Sequence, residues 1–226
     1  MAWAFQSAGT VTTTTATTVS PAVPATYSDG SLFVLIVSSQ QNITTAVTGY
    51  TNLVNNSQSG SGGNLAIWYK FASASESAPT VTVSPSGLNT GVILAYSGVA
   101  SFDAISSVAT TAMNTAGTFN CTTNTTTTTV VNDLVLSVYG TYVSGAVATV
   151  AYATASGTTS RVNQNGTALT SNALYVGDES QTATGATTAR TSVTTKASGT
   201  NLTSIQFAVA FKPSPPNNGR FLELFY

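Results

Sequence analysis

The side chains that could perform chemistry are few in this sequence, and histidine is not among them. Without imidazole the chain lacks the commonest general base and the usual nitrogen ligand of zinc. Any reaction would depend on the single cysteine and on seven acidic side chains. The acids are Asp29, Glu76, Asp103, Asp133, Asp178, Glu179 and Glu223.

Asp178 and Glu179 are the only adjacent acids. A glycosidase needs two carboxylates about 5 to 10 Å apart across the scissile bond. Neighbours on a strand point to opposite faces, so this pair cannot flank one bond by itself. We expect it to form salt bridges with Arg161 or Arg190 instead. Calcium ligands at Asp-X-Asp spacing do not occur. The sequence therefore predicts no catalytic, cofactor or metal residues, and a protein that is not an enzyme.

The other candidates for chemistry have structural interpretations. Asp29 and Asp133 each precede an apolar run, where a short acid can hydrogen-bond its own backbone in a turn. Cys121 is the only cysteine and cannot form an internal disulfide. Its surroundings, TFNCTT, favour a small, half-buried strand residue.

Aromatic side chains offer a route to carbohydrate binding, because exposed Trp and Tyr rings stack on sugars. Trp68 and Tyr142 are the two candidate glycan contacts. In LAIWYKF, strand alternation places Trp68 on one face and Tyr69 on the other. One of these faces is core, and the pattern alone does not decide which. Further tyrosines available for such a surface are Tyr152 and Tyr175.

Charge is scarce in this chain. Lys and Arg number six, Asp and Glu seven, and charged residues make up 6% of the sequence, against a usual figure of about 25%. Six basic residues cannot form a stripe that follows a phosphate backbone, so we expect no nucleic-acid partner. Solubility must come from hydroxyls and amides, and 42 residues are threonine.

Membrane association is not expected either. The longest apolar run, residues 32–37, is far shorter than the roughly 20 residues of a spanning helix. The first residues, MAWAFQSAGT, lack a basic region followed by an apolar stretch, so they do not resemble a secretory signal. The sequence predicts synthesis in the cytoplasm.

The elements that position these residues are predicted to be strands. Thr and Val are abundant, helix formers are scarce, and apolar residues alternate or form short runs between Gly, Asn, Ser and Pro clusters. Runs such as LFVLIV and GVILAY suit strands covered on both faces. The predicted strands are 10–19, 32–38, 64–72, 80–84, 91–96, 134–139, 149–153, 173–176, 189–195 and 204–212.

Two parts of the chain echo each other about 105 residues apart. SDGSLFVLIVSS is matched by VNDLVLSVYGT, GNLAIWYKFASA by NALYVGDESQTA, and TGVILAYSGV by TSIQFAVAFKP. The spacing is too long for a solenoid repeat. We expect an all-β fold: a single jelly-roll-like β-sandwich built from two similar halves, at about 28–100 and 115–212, with extended N- and C-terminal arms.

The ends of the chain are predicted to lie outside this sandwich, which spans residues 28–212. Residues 1–27 would form an N-terminal arm and first strand, and residues 213–226 a proline-rich spacer and an apolar segment. That segment, the C-terminal hook, contains Phe221, Leu222, Leu224, Phe225 and Tyr226. A proline-stiffened spacer can carry it roughly 25 Å from the last strand, within reach of another protein. Folding back onto its own sandwich is the alternative.

The spaced apolar motifs between about residues 28 and 213 resemble those of a known family. They are DGSLFVL at 29–35, GYTNL at 49–53, LAIWYK at 65–70, GVILAYSGV at 91–99, NDLVL at 132–136 and GATTAR at 185–190. The family comprises β-sandwich proteins of tailed bacteriophage virions, found as head-decoration or minor tail components. The hook lies outside the shared pattern.

This resemblance implies a non-enzymatic virion structural protein. We expect a capsid decoration, or cement, protein that stabilises the phage head by bridging capsid subunits. Its partners would be the major capsid protein and like subunits in a homotrimer, and its location the capsid surface. The alternative is a tail- or fibre-associated adhesin module that binds host glycans through Trp68 or Tyr142.

Overall fold

The computed structural model describes residues 2–43, 46–58, 63–143, 149–167, 170–199 and 201–215. In these residues all regular structure is β, and the strand pairs are antiparallel. This confirms the all-β prediction. The strands are β1 (Ala4–Ala8), β2 (Thr12–Val19), β3 (Leu32–Ser39), β4 (Asn42–Ile43), β5 (Thr51–Gln58), β6 (Gly63–Phe71), β7 (Val81–Ser97), β8 (Val99–Ile105), β9 (Ala109–Met113), β10 (Gly117–Thr122), β11 (Thr127–Thr128), β12 (Asp133–Thr141), β13 (Thr149–Tyr152), β14 (Thr159–Gln164), β15 (Gly166–Thr167), β16 (Ala173–Gln181), β17 (Gly185–Ala186), β18 (Thr191–Lys196) and β19 (Leu202–Pro213).

Two large sheets form the body of the molecule. The first sheet has the strand order β1-β7-β3-β6-β5, and β2 and β4 also pair with β7. The second sheet has the order β14-β16-β12-β19-β8, and β9 also pairs with β19. A small sheet, β10-β18-β13-β15, and the pair β11-β17 complete the strands of the described residues.

The two large sheets share one hydrophobic core, as expected of a β-sandwich. Alternate residues of β3, such as Val34 and Ile36, enter this core from the first sheet. Alternate residues of β12, such as Leu136 and Val138, enter it from the second. The coarse fold prediction, two packed antiparallel sheets, therefore agrees with the structure.

The outer faces of both sheets are also covered. Phe33, Leu35 and Val37 of β3 face a second core completed by loop residues and by short strands along β7. On the other side, Tyr139 of β12 packs with Tyr152 and Tyr175 beneath the small sheet. Every residue of β3 and β12 is buried. This confirms the prediction that LFVLIV is covered on both faces, which is why its apolar run is continuous.

Each large sheet is formed by one half of the chain, and the two have the same internal order. The central strands β3 and β12 are flanked by β7 and β6 and by β19 and β16, respectively. The three pairs of echoing segments form these equivalent strands. The repeat boundaries, the domain limits and the jelly-roll description stay predictions.

The four outermost strands of the large sheets each contain a β-bulge. In β1 the extra residue is Gln6, and in β8 the extra residues are Ala100 and Asp103. In β5 it is Leu53, and in β14 it is Arg161. Bulges bend and twist the strand that contains them and redirect the extra side chain.

The N-terminal segment, predicted to be an arm and first strand with a strand at 10–19, contains the two strands β1 and β2. Residues 4–8 and 12–19 pair with β7 and so belong to the first sheet. The aromatic ring of Phe5 contacts that of Tyr96 at a centroid distance of 5.4 Å, which anchors β1 to the shared core. At the other end the described chain stops at Pro215, so the hook lies outside the described residues.

Candidate functional site

A largely apolar groove of about 680 Å³ lies where the start of the chain meets the end of β19. We call it the terminal groove. Its walls come from four separate segments of the chain. The lining residues are Ala2, Trp3, Val131, Asn132, Ser180, Pro213 and Ser214.

Local contacts hold the walls of the terminal groove in place. The ring of Trp3 packs edge-to-face on Tyr96, with centroids 6.0 Å apart. The Ser214 backbone N–H donates to the Gly98 carbonyl at 2.7 Å, which fixes the chain where it leaves β19. Val131 is 50% exposed, the highest value among the exposed large apolar side chains of the described residues.

Two carboxyl groups meet beside the terminal groove. Asp103, the bulge residue of β8, accepts hydrogen bonds from the Thr129 backbone N–H and hydroxyl, both at 2.7 Å. The Lys212 ammonium lies 3.3 Å from the same carboxylate. Asp133, the first residue of β12, is 0% exposed, and no N–H or hydroxyl donor bonds to either of its carboxyl oxygens. Asp133 lies close enough to the Asp103 carboxylate for each group to shift the pKa of the other.

The surroundings shift the two acids in opposite directions. Burial, reinforced by the negative charge of Asp103, raises the pKa of Asp133 to about 7. Burial also acts on Asp103, but hydrogen bonds from Asp133, Thr129 and Lys212 outweigh it and lower the pKa of Asp103 to about 2. Sequence reasoning assigned Asp133 to a turn and did not pair it with Asp103.

The adjacent acids Asp178 and Glu179 form the salt bridges that the sequence predicted. The Arg161 Nε lies 2.7 Å from Asp178 Oδ2. Arg190 binds Glu179 through two nitrogens, one of them at 2.8 Å. Successive strand positions place these two pairs on opposite sides of β16. Each carboxylate is therefore held by its own arginine and does not face the other.

The two candidate glycan contacts have different surroundings. Trp68 is 2% exposed and packs in the outer core of the first sheet. A buried indole offers no face to a sugar, so the prediction that Trp68 contacts a glycan is wrong. Tyr142 is partly exposed, and partial burial raises the pKa of its hydroxyl. Of the other tyrosines considered, Tyr152 and Tyr175 are buried in the core beneath the small sheet.

A smaller polar cavity of about 300 Å³ was not expected from the sequence. Tyr50, Lys70 and Glu76 contribute to its lining. The Lys70 ammonium lies 4.9 Å from the Tyr50 ring centroid and pairs with the Glu76 carboxylate. Glu76 also accepts the Ser73 backbone N–H at 2.7 Å. The charged groups of this cavity therefore satisfy one another.

Of the remaining predicted residues, Cys121 is among the described residues and the five hook residues are not. Cys121 is a free thiol in β10, as predicted for a strand residue, although it is buried and not half-buried. The five hook residues lie outside the described part of the chain. Within the described part, no three His, Cys, Asp or Glu side chains cluster in a way that could hold a metal ion.

No family model, curated protein sequence or solved structure matches this chain. Among the described residues there is no helix long and apolar enough to cross a membrane.

Proposed function

We propose that this protein is a non-enzymatic structural subunit that attaches to a larger protein assembly through the terminal groove and the C-terminal hook. The observation that supports this is the path of β19. Its last residue, Pro213, and the following Ser214 form part of the groove wall. The hook begins at Phe221, six residues beyond Pro215.

Apolar surface concentrated in one region favours a protein partner. The groove presents Val131 to solvent, and the hook adds five large apolar side chains after a short spacer. Burying such surface against another protein contributes about 25 cal/mol per Å². Both large sheets are covered on both faces, so the sandwich supplies a rigid base for this contact.

The specific form of the proposal is a capsid decoration protein of a tailed bacteriophage. It draws on the resemblance of the apolar motifs to virion sandwich proteins. The partners are the major capsid protein and like subunits in a trimer, and the place of action is the capsid surface. By bridging neighbouring capsid subunits, the protein adds contacts that must break before the shell opens. A jelly-roll-like sandwich belongs to the same proposal.

Purified phage heads that lack the protein provide the test. Wild-type protein, a chain truncated after Pro215, and Val131→Asp are each titrated onto heads, and bound protein is measured after sedimentation. We expect saturable binding of wild type, no binding of the truncated chain, and at least about tenfold weaker binding of Val131→Asp. Val193→Asp is the matched control, because Val193 is 45% exposed on the small sheet and outside the groove.

Truncation removes none of the described strands, since β19 ends at Pro213. Its melting temperature should therefore match that of wild type. A truncated chain that still saturates heads would contradict the role of the hook. Electron cryomicroscopy of complete virions then distinguishes the locations: density spread over the head supports decoration, and density confined to the tail supports the adhesin alternative.

The adhesin alternative rests on the polar cavity beside Tyr50 and on the partly exposed ring of Tyr142. Sugar sites combine an aromatic ring with a few polar groups, which Tyr50, Lys70 and Glu76 provide. A glycan array probed with wild type, Tyr50→Ala and Tyr142→Ala tests it. Binding that either substitution removes would support this function over decoration.

A further inference from the structure

The bulge residues Gln6 and Asp103 occupy equivalent places in the two large sheets. In the first sheet, Phe5 pairs with Tyr96 of β7 and Gln6 is the extra residue that follows. In the second, Phe102 pairs with Phe211 of β19, and the extra residue is Asp103. The strand registers thus align the two edges residue by residue.

The residues immediately before the central apolar runs are equivalent as well. Leu32 pairs with Tyr96, and Leu134 pairs with Phe211. Ser31 and Asp133 therefore correspond. Each follows a residue in the left-handed region, Gly30 at φ 77° and Asn132 at φ 63°. Each sheet thus has the same turn, which directs Ser31 toward the Gln6 bulge in the first sheet and Asp133 toward the Asp103 bulge in the second.

The first sheet shows which hydrogen bond this geometry forms. The Ser31 hydroxyl donates to the Gln6 side-chain carbonyl at 2.6 Å. In the second sheet an acid replaces the hydroxyl donor, and a carboxylate replaces the amide acceptor. Asp103 already accepts the hydrogen bonds from Thr129 and the charge of Lys212, so it is the ionised member. Only a protonated Asp133 can act as the donor that Ser31 is.

We propose that Asp103 and Asp133 share one proton, carried by Asp133 and donated to Asp103, and that its loss on raising the pH weakens the corner where β8, β12 and β19 meet. When the proton leaves, two carboxylates face each other in a buried site with one lysine to offset them. Lys212 directly precedes the residues of the terminal groove. This inference is independent of the proposed function.

The charged groups that act on Asp133 come from two strands. Asp103 lies on β8 and Lys212 on β19. On the neighbouring strand β16, the residue paired with Asp133 is Gln181, which is uncharged, as is Ser180 next to it. The proton on Asp133 is therefore governed by burial, by the repulsion from Asp103 and by the weaker opposing attraction of Lys212.

The direction of the pH effect follows from linkage. A pKa of about 7 for Asp133 in the folded chain lies above its unfolded value of about 3.9. Between these values the folded state binds more protons than the unfolded state, so stability falls as the pH rises from about 4 to about 7. Asp103 has the opposite sign: its pKa of about 2 gives stability that is lost as the pH falls below about 4.

Thermal unfolding of the full chain between pH 5 and pH 8 tests the proposal. We expect the wild-type melting temperature to fall by roughly 2 to 4 °C or more over this range, the size of shift that a change of order 1 kcal/mol gives in a domain of this length. Asp133→Asn retains a donor without a titrating proton and should remove the decline. The double variant Asp103→Gln with Asp133→Ser places the Gln6 and Ser31 residue types of the first sheet at the equivalent positions, and it should also remove the decline in melting temperature. Asp29→Asn, at an exposed acid, should keep it.

Carbon NMR of the aspartate carboxyl groups in the wild-type chain gives a readout that does not depend on any variant folding. The Asp133 signal should titrate near neutral pH, and it should be identified by its loss in Asp133→Asn. An Asp133 carboxyl that titrates near 4 would overturn the proposal, as would an unchanged decline in Asp133→Asn. Calcium chloride that raises the melting temperature only when Asp133 is present would also overturn it, because a cation and not a proton would then join the pair.

Discussion

The two large sheets have the same strand order and registers but fill equivalent positions with different side chains. On the outer face of the first sheet, Trp68 pairs with Leu35 of β3. At the equivalent place in the second sheet, Gly177 pairs with Ser137 of β12. Thr158 and Tyr175 occupy the space next to Gly177. The two positions are equivalent in the backbone, but the space beside them is filled differently. In the first sheet the Trp68 side chain fills it, and in the second Thr158 and Tyr175 fill it next to Gly177.

The edges of the sheets differ in polarity. The bulge residue of β5, Leu53, packs against the shared core. Its counterpart in β14, Arg161, pairs with Asp178 and places its guanidinium 4.4 Å from the Phe5 ring centroid. The Gln6 and Asp103 bulges also differ in polarity, since the first-sheet residue is a neutral amide and its second-sheet counterpart is a carboxylate. The same backbone bulge therefore holds an apolar residue at Leu53, a neutral polar residue at Gln6 and charged residues at Asp103 and Arg161.

The largest expected effect is on the outer core of the first sheet. Trp68→Ala should lower the free energy of unfolding by about 3 to 5 kcal/mol, because loop residues cannot collapse into the space of an indole. Urea unfolding measures it. Val193→Ala, at an exposed position, is the control and should change stability by less than about 0.5 kcal/mol. A loss below about 1 kcal/mol for Trp68→Ala would contradict the role of the indole in filling the outer core of the first sheet.

The next effect concerns the ionic edge. Arg161→Leu should cost about 3 kcal/mol, because Asp178 is 1% exposed and would lose its charge partner. Adding Asp178→Tyr gives these two positions the residues, Leu53 and Tyr69, that occupy the equivalent places in the first sheet, and should recover most of the loss. A double-mutant cycle by urea unfolding measures the coupling. Additive effects of the two substitutions would contradict the equivalence of the two edges.

The smallest effect concerns the counterpart of Trp68. In Gly177→Ala the new Cβ would lie 2.4 Å from the Thr158 hydroxyl oxygen and 2.7 Å from that of Tyr175. We expect a loss of about 1 to 3 kcal/mol from overpacking. In a Thr158→Ala background the same substitution should cost less, and thermal unfolding of the four chains measures the difference. An equal cost in both backgrounds would indicate backbone strain as the cause.

Much of the fold could be predicted because its signals are local. The apolar run of 32–37 and its echo at 134–138 define the two central strands, since a strand buried on both faces needs no polar alternation. The salt bridges of Asp178 and Glu179 were predictable because adjacent strand residues point apart. In each case neighbouring residues were enough to decide the structure.

The remainder depends on register, which the sequence pattern does not supply. Asp103 and Asp133 are 30 residues apart, and they meet because a bulge turns one toward the strand end that holds the other. The terminal groove combines four chain segments for the same reason. The predicted strands 80–84 and 91–96 are one strand, β7, because β2 and β3 pair along its length and continue the ladder. The strand predicted at 10–19 corresponds to β2, but its Thr-rich pattern does not reveal that it pairs with β7.

The bulged outer strands also bear on solubility at high local concentration. Exposed sheet edges invite pairing with another copy, and proteins commonly block this with charged side chains. This chain has only 13 charged residues, six basic and seven acidic, and at least eight of them are engaged in ion pairs. The bulge in each outermost strand of the two large sheets twists that strand and interrupts the straight ladder that edge-to-edge pairing requires. We therefore expect edge-to-edge strand pairing between copies to be disfavoured even where few charges are available to repel them.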